Sequence, residues 1–187
     1  LLGGRGGGGH PAPTAAASPR DRLIATVGVL RRPQTEADRD PATLRQIARL
    51  DASSTGFRSD TAGMRLAGVT PWGEKVVLVP FRVDRTYQLL VFIGGPLWGG
   101  AATSRLRAGG IMAIEPLRQP AGTGVVLVVP DGVARVSLAV GAQRLPSAAV
   151  RDNIAVLRAP AGLARKLRAT VRVTWYGPGG AALDAFR

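Results

Sequence analysis

The side chains in this 187-residue chain that could do chemistry are few, and their spacing favours no reaction. Cysteine is absent, which removes thiol nucleophiles, disulfide frameworks and iron–sulfur ligation. The one histidine, His10, stands in a Gly/Pro/Ala-rich leader. Histidine-ligated zinc and Ser–His–Asp hydrolysis both need an imidazole fixed by a folded scaffold. Ser104 lies in no G-x-S-x-G turn, and a Ser–Lys dyad would have to recruit Lys75 or Lys166. The densest acidic group is Glu36, Asp38 and Asp40. A hard cation wants several such oxygens around a glycine turn; no glycine is near, so these acids read as charge at a helix N-terminus. Asp60, Glu74, Asp84, Glu115, Asp131, Asp152 and Asp184 stand singly. A glycosidase-type pair assembled by folding stays open, but no spacing selects two of them. The Gly3–Gly9 run looks like a phosphate loop, yet it follows no strand and opens no helix. No catalytic residue, cofactor or metal ligand is assigned.

Binding residues are easier to name. Trp72 falls in a turn and Trp98 in a glycine-rich stretch. Such indoles either stack on a sugar or insert at an interface, or they form a lid over the open end of a sheet. Arg165, Lys166 and Arg168 are the densest basic group, with Trp175 and Tyr176 shortly after. Single-stranded nucleic acid is gripped by basic residues interleaved with stacking aromatics. Aromatics make up only 5% of this chain, and Trp175 lies on the apolar side of its strand, so nucleic acid is the less favoured ligand. The candidate contacts are Trp72, Trp98, Arg165, Lys166 and Arg168. The net charge of +13 should draw polyanions. Against this, 23 of the 25 basic residues are arginine, and they are scattered. Abundant Gly and Ala beside so much Arg also fit a GC-rich codon bias.

These side chains must be positioned by mostly extended elements. Residues 1–20 are low in bulky apolar groups and read as a disordered tether. The chain starts at Leu1 rather than Met, which fits a piece left by an upstream signal peptide or anchor. Helix and strand fit the apolar run 23–30 equally. Asp40-Pro41 is a helix start, with Leu44, Ile47, Ala48 and Leu50 near 3.6 spacing, so 41–50 is a predicted helix. Residues 51–61 read as a loop. Strands are predicted over 64–69, 75–83 and 86–93, with a Pro71-Trp72-Gly73 turn, forming a meander. Pro80 implies an edge or a bulge. Residues 94–110 read as a long loop, and 111–115 as a short strand. Val125–Val129, the Pro130-Asp131-Gly132 turn and Val133–Val140 read as a hairpin, with Val136, Leu138 and Val140 on the buried side. A strand follows the Asp152-Asn153 break. Val171, Val173 and Trp175 alternate in another, and Gly177–Gly180 turns the chain into a last hairpin.

The sum is seven to nine strands. The expected fold is mainly β with a minor N-terminal helical part, an antiparallel sandwich or partly open barrel built from hairpins. The expected organisation is a tether over 1–20, a helix-containing segment over 21–62 and an antiparallel β-domain over 63–187, with 21–187 one folded unit.

The motifs Val29–Thr35 (VLRRPQT), Thr70–Gly73 (TPWG), Leu78-Val79-Pro80, Arg107–Gly110, Val129–Val133 (VPDGV) and Arg151-Asp152-Asn153 (RDN) occur in that order. Over residues 27–176 the chain resembles a group of uncharacterised actinobacterial proteins that are exported or membrane-anchored behind a Gly/Pro/Ala-rich linker. The resemblance implies an extracytoplasmic location, secreted or membrane-anchored. It carries over no activity and no catalytic residue. Some of those proteins have cysteines in the β region, and this chain has none. The expected function is a non-catalytic extracytoplasmic domain binding a cell-envelope polymer or protein partner, with membrane contact only through an upstream anchor. The alternatives are a basic polyanion-binding module, for nucleic acid or an anionic surface, and a carboxylate-dependent hydrolase.

Overall fold

The computed structural model describes residues 16–53, 56–117, 122–160, 163 and 171–183. Most of the expected tether, residues 1–15, lies outside them. Ser18 caps helix α1 (Pro19–Thr26) by accepting from the Asp21 N–H at 3.1 Å. A 3-10 turn follows at Gly28–Arg31. The ambiguous run 23–30 is therefore helical, and it delivers Leu23, Val27, Val29 and Leu30 to the core. Helix α2 (Pro41–Ser53) begins at its Asp40-Pro41 signal. The Asp40 carboxylate accepts from the Thr43 N–H at 2.9 Å and from its hydroxyl at 3.0 Å.

The first sheet contains β1 (Phe57–Ser59), β2 (Arg65–Val69), β3 (Lys75–Val83), β4 (Thr86–Ile93) and β5 (Leu97–Ala102), all antiparallel. Two predicted loops contribute strands to it. β1 comes from the expected loop 51–61, and β5 with helix α3 (Thr103–Gly109) comes from the expected loop 94–110. β5 hides from a periodicity reading because it needs glycine: a Cβ on Gly100 would lie 2.8 Å from Leu90 Cδ2 and 3.0 Å from the Leu89 carbonyl. Pro80 is on neither an outer edge nor a bulge. β3 pairs with β4 along its length, and its other side is shared by β1 (to residues 81–83) and β2 (to residues 75–78). Pro80 falls in the gap between them, where its carbonyl accepts from the Asp60 N–H at 2.8 Å. The missing N–H thus costs no ladder bond.

The second sheet is β6 (Ile111–Leu117), β7 (Gly122–Val128) and β11 (Ile154–Ala159), with β7 central. The third holds β8 (Arg135–Val140), β9 (Gln143–Arg144), β10 (Ala148–Ala149), β12 (Val171–Tyr176) and β13 (Ala182–Leu183). The expected 125–140 hairpin does not form. β7 pairs with β6 and β11, whereas β8 pairs with β12, β9 and β10. Pro130-Asp131-Gly132 carries the chain from one sheet to another. Thirteen strands form among the described residues, four of them only two or three residues long.

The first two sheets curl into a half-barrel around one core. Leu78, Leu89, Val91, Ile111, Val126 and Val128 meet there, with α1, α3 and the 28–31 turn plugging the interior. Alternation sends the next residues outward. Val77, Val79, Leu90 and Phe92 pack beneath Leu44, Ile47 and Leu50 of α2. Val125, Leu127, Ala155 and Leu157 pack on Val136, Leu138, Val140 and Trp175 of the third sheet. β7 is buried on both faces, which is why Val125–Val128 is a continuous apolar run. Each fully buried Val or Leu here is worth about 1.5–3 kcal/mol. The molecule is a mainly β, antiparallel, partly open barrel with a sandwich layer on one side.

Candidate functional site

The motifs most distinctive in the sequence meet at one place. Asp152 and Asn153 have φ of +47° and +64°, the two left-handed positions of a type I′ turn, and Arg151 and Ile154 exchange backbone bonds of 2.9 Å across it. That turn buries the Asn153 side chain. Its Oδ1 accepts from the Val29 N–H at 2.8 Å, and its Nδ2 donates to the Val129 carbonyl at 3.1 Å and to Asp131 Oδ1 at 2.8 Å. Asp131 also accepts from the Gly28 N–H at 2.7 Å and pairs with Arg31 at 2.7 Å. The segments 28–31, 129–131 and 151–153 are thereby locked together across more than a hundred residues of sequence.

Arg32 extends the clasp. It donates to the Leu66 carbonyl, meets Asp38 at 3.4 Å and reaches Asp152 at 3.7 Å. Arg65, 7% exposed, donates to the carbonyls of Arg32, Ala62 and Met64 at 2.8, 2.9 and 2.7 Å. Burial pulls its guanidinium below its ordinary pKa, against the opposing charge of Asp38. Burial alone would raise the Asp38 carboxyl. The N–H groups of Thr35 and Leu66, the Thr35 hydroxyl and Arg32 outweigh it and hold that carboxyl below the usual range. Asp40 is balanced in the same way: burial raises it, while Thr43 and Lys75 bring it below the ordinary value. Asp38, Asp40, Asp60 and Asp131 each have both oxygens engaged by backbone N–H, hydroxyl, amide or cationic groups. A general acid or base needs an oxygen free to meet substrate. These carboxylates are struts.

The other concentration of polar groups is the solvent face of the third sheet. Register sets its layout. Arg172 lies opposite Ala139, which lies opposite Arg144; Thr174 lies opposite Ser137; Tyr176 lies opposite Arg135. The outer arginines of the first row are two strand spacings apart, about 10 Å between their Cα atoms. Small Ala139 leaves a trough between them of about 290 Å³, walled by Arg144 and Arg172, with Ser137, Thr174 and Tyr176 at its end. Arg135 sits over the Tyr176 ring, 4.8 Å from its centroid, and the Tyr176 and Ser137 hydroxyls are 3.4 Å apart. Arg135, Arg144 and Arg172 are exposed, and none has an acid partner among the described residues. From Val133 to Leu183 the chain has eight basic residues and one acid, Asp152, which belongs to the clasp. Arg45 and Arg49 of α2 face the turn at Gly94, which Glu74 covers.

The sequence-nominated contacts fall elsewhere. Trp72 and Trp98 are both half-buried against the half-barrel core, and Trp98 Nε1 donates to the Ile93 carbonyl at 3.3 Å. Arg165, Lys166 and Arg168 lie outside the described residues. Trp175 is 4% exposed, in the core beneath the third sheet. The trough residues were readable from two signals: the period-two alternation that places Arg135, Ser137, Arg172, Thr174 and Tyr176 opposite the apolar side, and the shortage of acid after Asp131. With this geometry in view, the chain matches no protein family model, no curated protein and no solved structure.

Proposed function

We propose that this chain is a non-catalytic, extracytoplasmic binding domain that holds an anionic polymer of the cell envelope on the open face of its third sheet. The observation that carries the reading is the row Arg144–Ala139–Arg172 with Arg135 behind it, three exposed guanidiniums with no acid partner among the described residues. Guanidinium presents planar paired donors that match phosphate and carboxylate groups. The Ser137, Thr174 and Tyr176 hydroxyls supply neutral bonds beside them. Arg135 already covers the Tyr176 ring, so among the described residues the face offers no free aromatic platform for a base. It reads backbone charge. Engagement of Asp38, Asp40, Asp60 and Asp131 as struts favours binding over hydrolysis at those carboxylates. The extracytoplasmic address rests on the Gly/Pro/Ala leader and the motif resemblance.

The reading is tested with two fluorescent twelve-unit probes, oligo-dT and an abasic deoxyribose-phosphate chain of the same length. The two should bind with equal affinity, and Arg135→Ala/Arg144→Ala/Arg172→Ala should abolish both. A clear preference for oligo-dT would overturn it in favour of base recognition, and undiminished binding by the triple variant would remove the site.

A further inference from the structure

Among the described residues the first and second sheets share no ladder, and one of the two gaps between them, a seam, lies between β2 and β11. A groove of about 640 Å³ runs there, lined by Ala67, Val69, Ala148, Arg151, Ile154 and Val156. The direction of its two edges follows from two contacts. Arg32 ties Leu66 to Asp152, and the Ile154 side chain lies over Gly68, where a Cβ would stand 2.9 Å from Ile154 Cδ1. Passing from Leu66 to Gly68 therefore matches passing from Asp152 to Ile154. β2 and β11 run in the same sense, so one strand antiparallel to both would continue the antiparallel order on each side.

Both edges have backbone groups to offer such a strand. The Thr70 N–H donates to the Glu74 carbonyl at 2.8 Å, so Thr70 faces the β3 side and Val69, by strand alternation, faces away from it into the seam. Ile154 exchanges bonds with Arg151 on the outer side of β11, so Val156, two residues on, points its N–H and C=O the same way. β10 stays beside the start of β11 but gives its ladder bonds to β8. Among the described residues neither Val69 nor Val156 has an outward backbone partner. Val69 is also 57% exposed, the one large apolar side chain so placed among the described residues. At the rim, Arg151 is exposed with no acid partner among the described residues, since Asp152 is taken by Arg32.

We propose that the seam binds an extended segment of a partner protein by strand addition. Alternate small apolar side chains of that segment turn toward Ala67 and Val156, and an acidic side chain meets Arg151. Only a polypeptide offers the alternating N–H and C=O groups these edges lack, and the unpaired guanidinium selects an acid. The proposal is independent of the anion-binding face.

The probe is an acetylated, amidated ten-residue peptide alternating valine and threonine, with one central glutamate and a terminal fluorophore. The full chain should bind it saturably, and Val69→Pro should weaken binding at least tenfold, because the N–H it removes faces the seam and not β3. Replacing the peptide glutamate by lysine should weaken binding to the wild type, and Arg151→Ala should erase that preference. Hydrogen exchange on the unmutated chain needs no variant to fold: the Val69 and Val156 amides should gain protection on peptide addition. The arginine triple variant of the third sheet should bind the peptide unchanged. The proposal fails if binding is not saturable, if Val69→Pro binds equally, or if protection appears elsewhere. It fails equally if the seam proves to be filled by a second copy, seen as a dimer in sedimentation that Val69→Pro abolishes.

Discussion

Replacing Asn153 by alanine should be among the most damaging single changes in the molecule. The side chain is 8% exposed and makes three hydrogen bonds, to Val29, Val129 and Asp131. Its removal strands a backbone N–H and a carbonyl in the interior, where an orphaned buried group costs about 1–3 kcal/mol. Alanine also has to hold φ near +64°, which costs about 1–2 kcal/mol for a residue with a Cβ. The combined loss is about 3–8 kcal/mol. For a chain of this size that lowers Tm by roughly 6–32 °C. Glycine separates the two contributions, since it loses the hydrogen bonds but adopts positive φ freely. Urea unfolding should find Asn153→Ala the most damaged and Asn153→Gly about 1–2 kcal/mol less so, both below the wild type. A loss below about 0.5 kcal/mol for alanine, within the range of an ordinary surface change, would refute the clasp as a fold determinant. Equal losses for the two variants would refute the contribution assigned to the turn.

Three further outcomes follow from the same structure. The carboxyls of Asp38 and Asp40 are depressed in the folded state, so the stability they add is present above their unfolded pKa, near 4. It is lost as pH falls through the lower folded values, so urea midpoints should be flat from pH 7 to 5 and fall below about pH 4, and Asp38→Asn should flatten the fall. At Gly110, φ is +70° and a Cβ would collide with the Val128 carbonyl; Gly110→Ala should cost about 2–5 kcal/mol by thermal unfolding, from left-handed strain and overpacking together. Trp98→Ala should destabilise the chain by emptying a half-buried core contact while leaving affinity for the abasic probe unchanged, because Trp98 is remote from the third sheet's trough.

Strand grammar was legible wherever one face of a strand is buried and the other is wet. β8 and β12 show it, with Val136, Leu138, Val171, Val173 and Trp175 on one side and arginines on the other. The Asp40-Pro41 start of α2 was equally plain, because the cap chemistry is local. Partnering was not. Val125–Val129 and Val133–Val140 look like a hairpin, yet Asp131 is drawn to Gly28 and Asn153 from distant segments, and this directs the two strands into different sheets. β5 was invisible because close approach to Leu90 demands glycine, which a sequence reading takes for loop. For the site, attention to local density favoured Arg165, Lys166 and Arg168 over the trough arginines. Arg135, Arg144 and Arg172 are far apart in sequence and become neighbours only through strand register.

The central claim is that three guanidiniums on the third sheet bind a polymer through its charge. The measurement that meets it most directly is the salt dependence of abasic-probe affinity, by fluorescence anisotropy between 50 and 300 mM NaCl (about 8 Å screening length near the middle of that range). Three engaged charges on a single-strand-like polymer give a log–log slope of about −2, and each arginine removed should flatten it by about 0.7. A slope that stays the same in the Arg135→Ala/Arg144→Ala/Arg172→Ala variant, or a wild-type affinity indifferent to salt, would contradict the account.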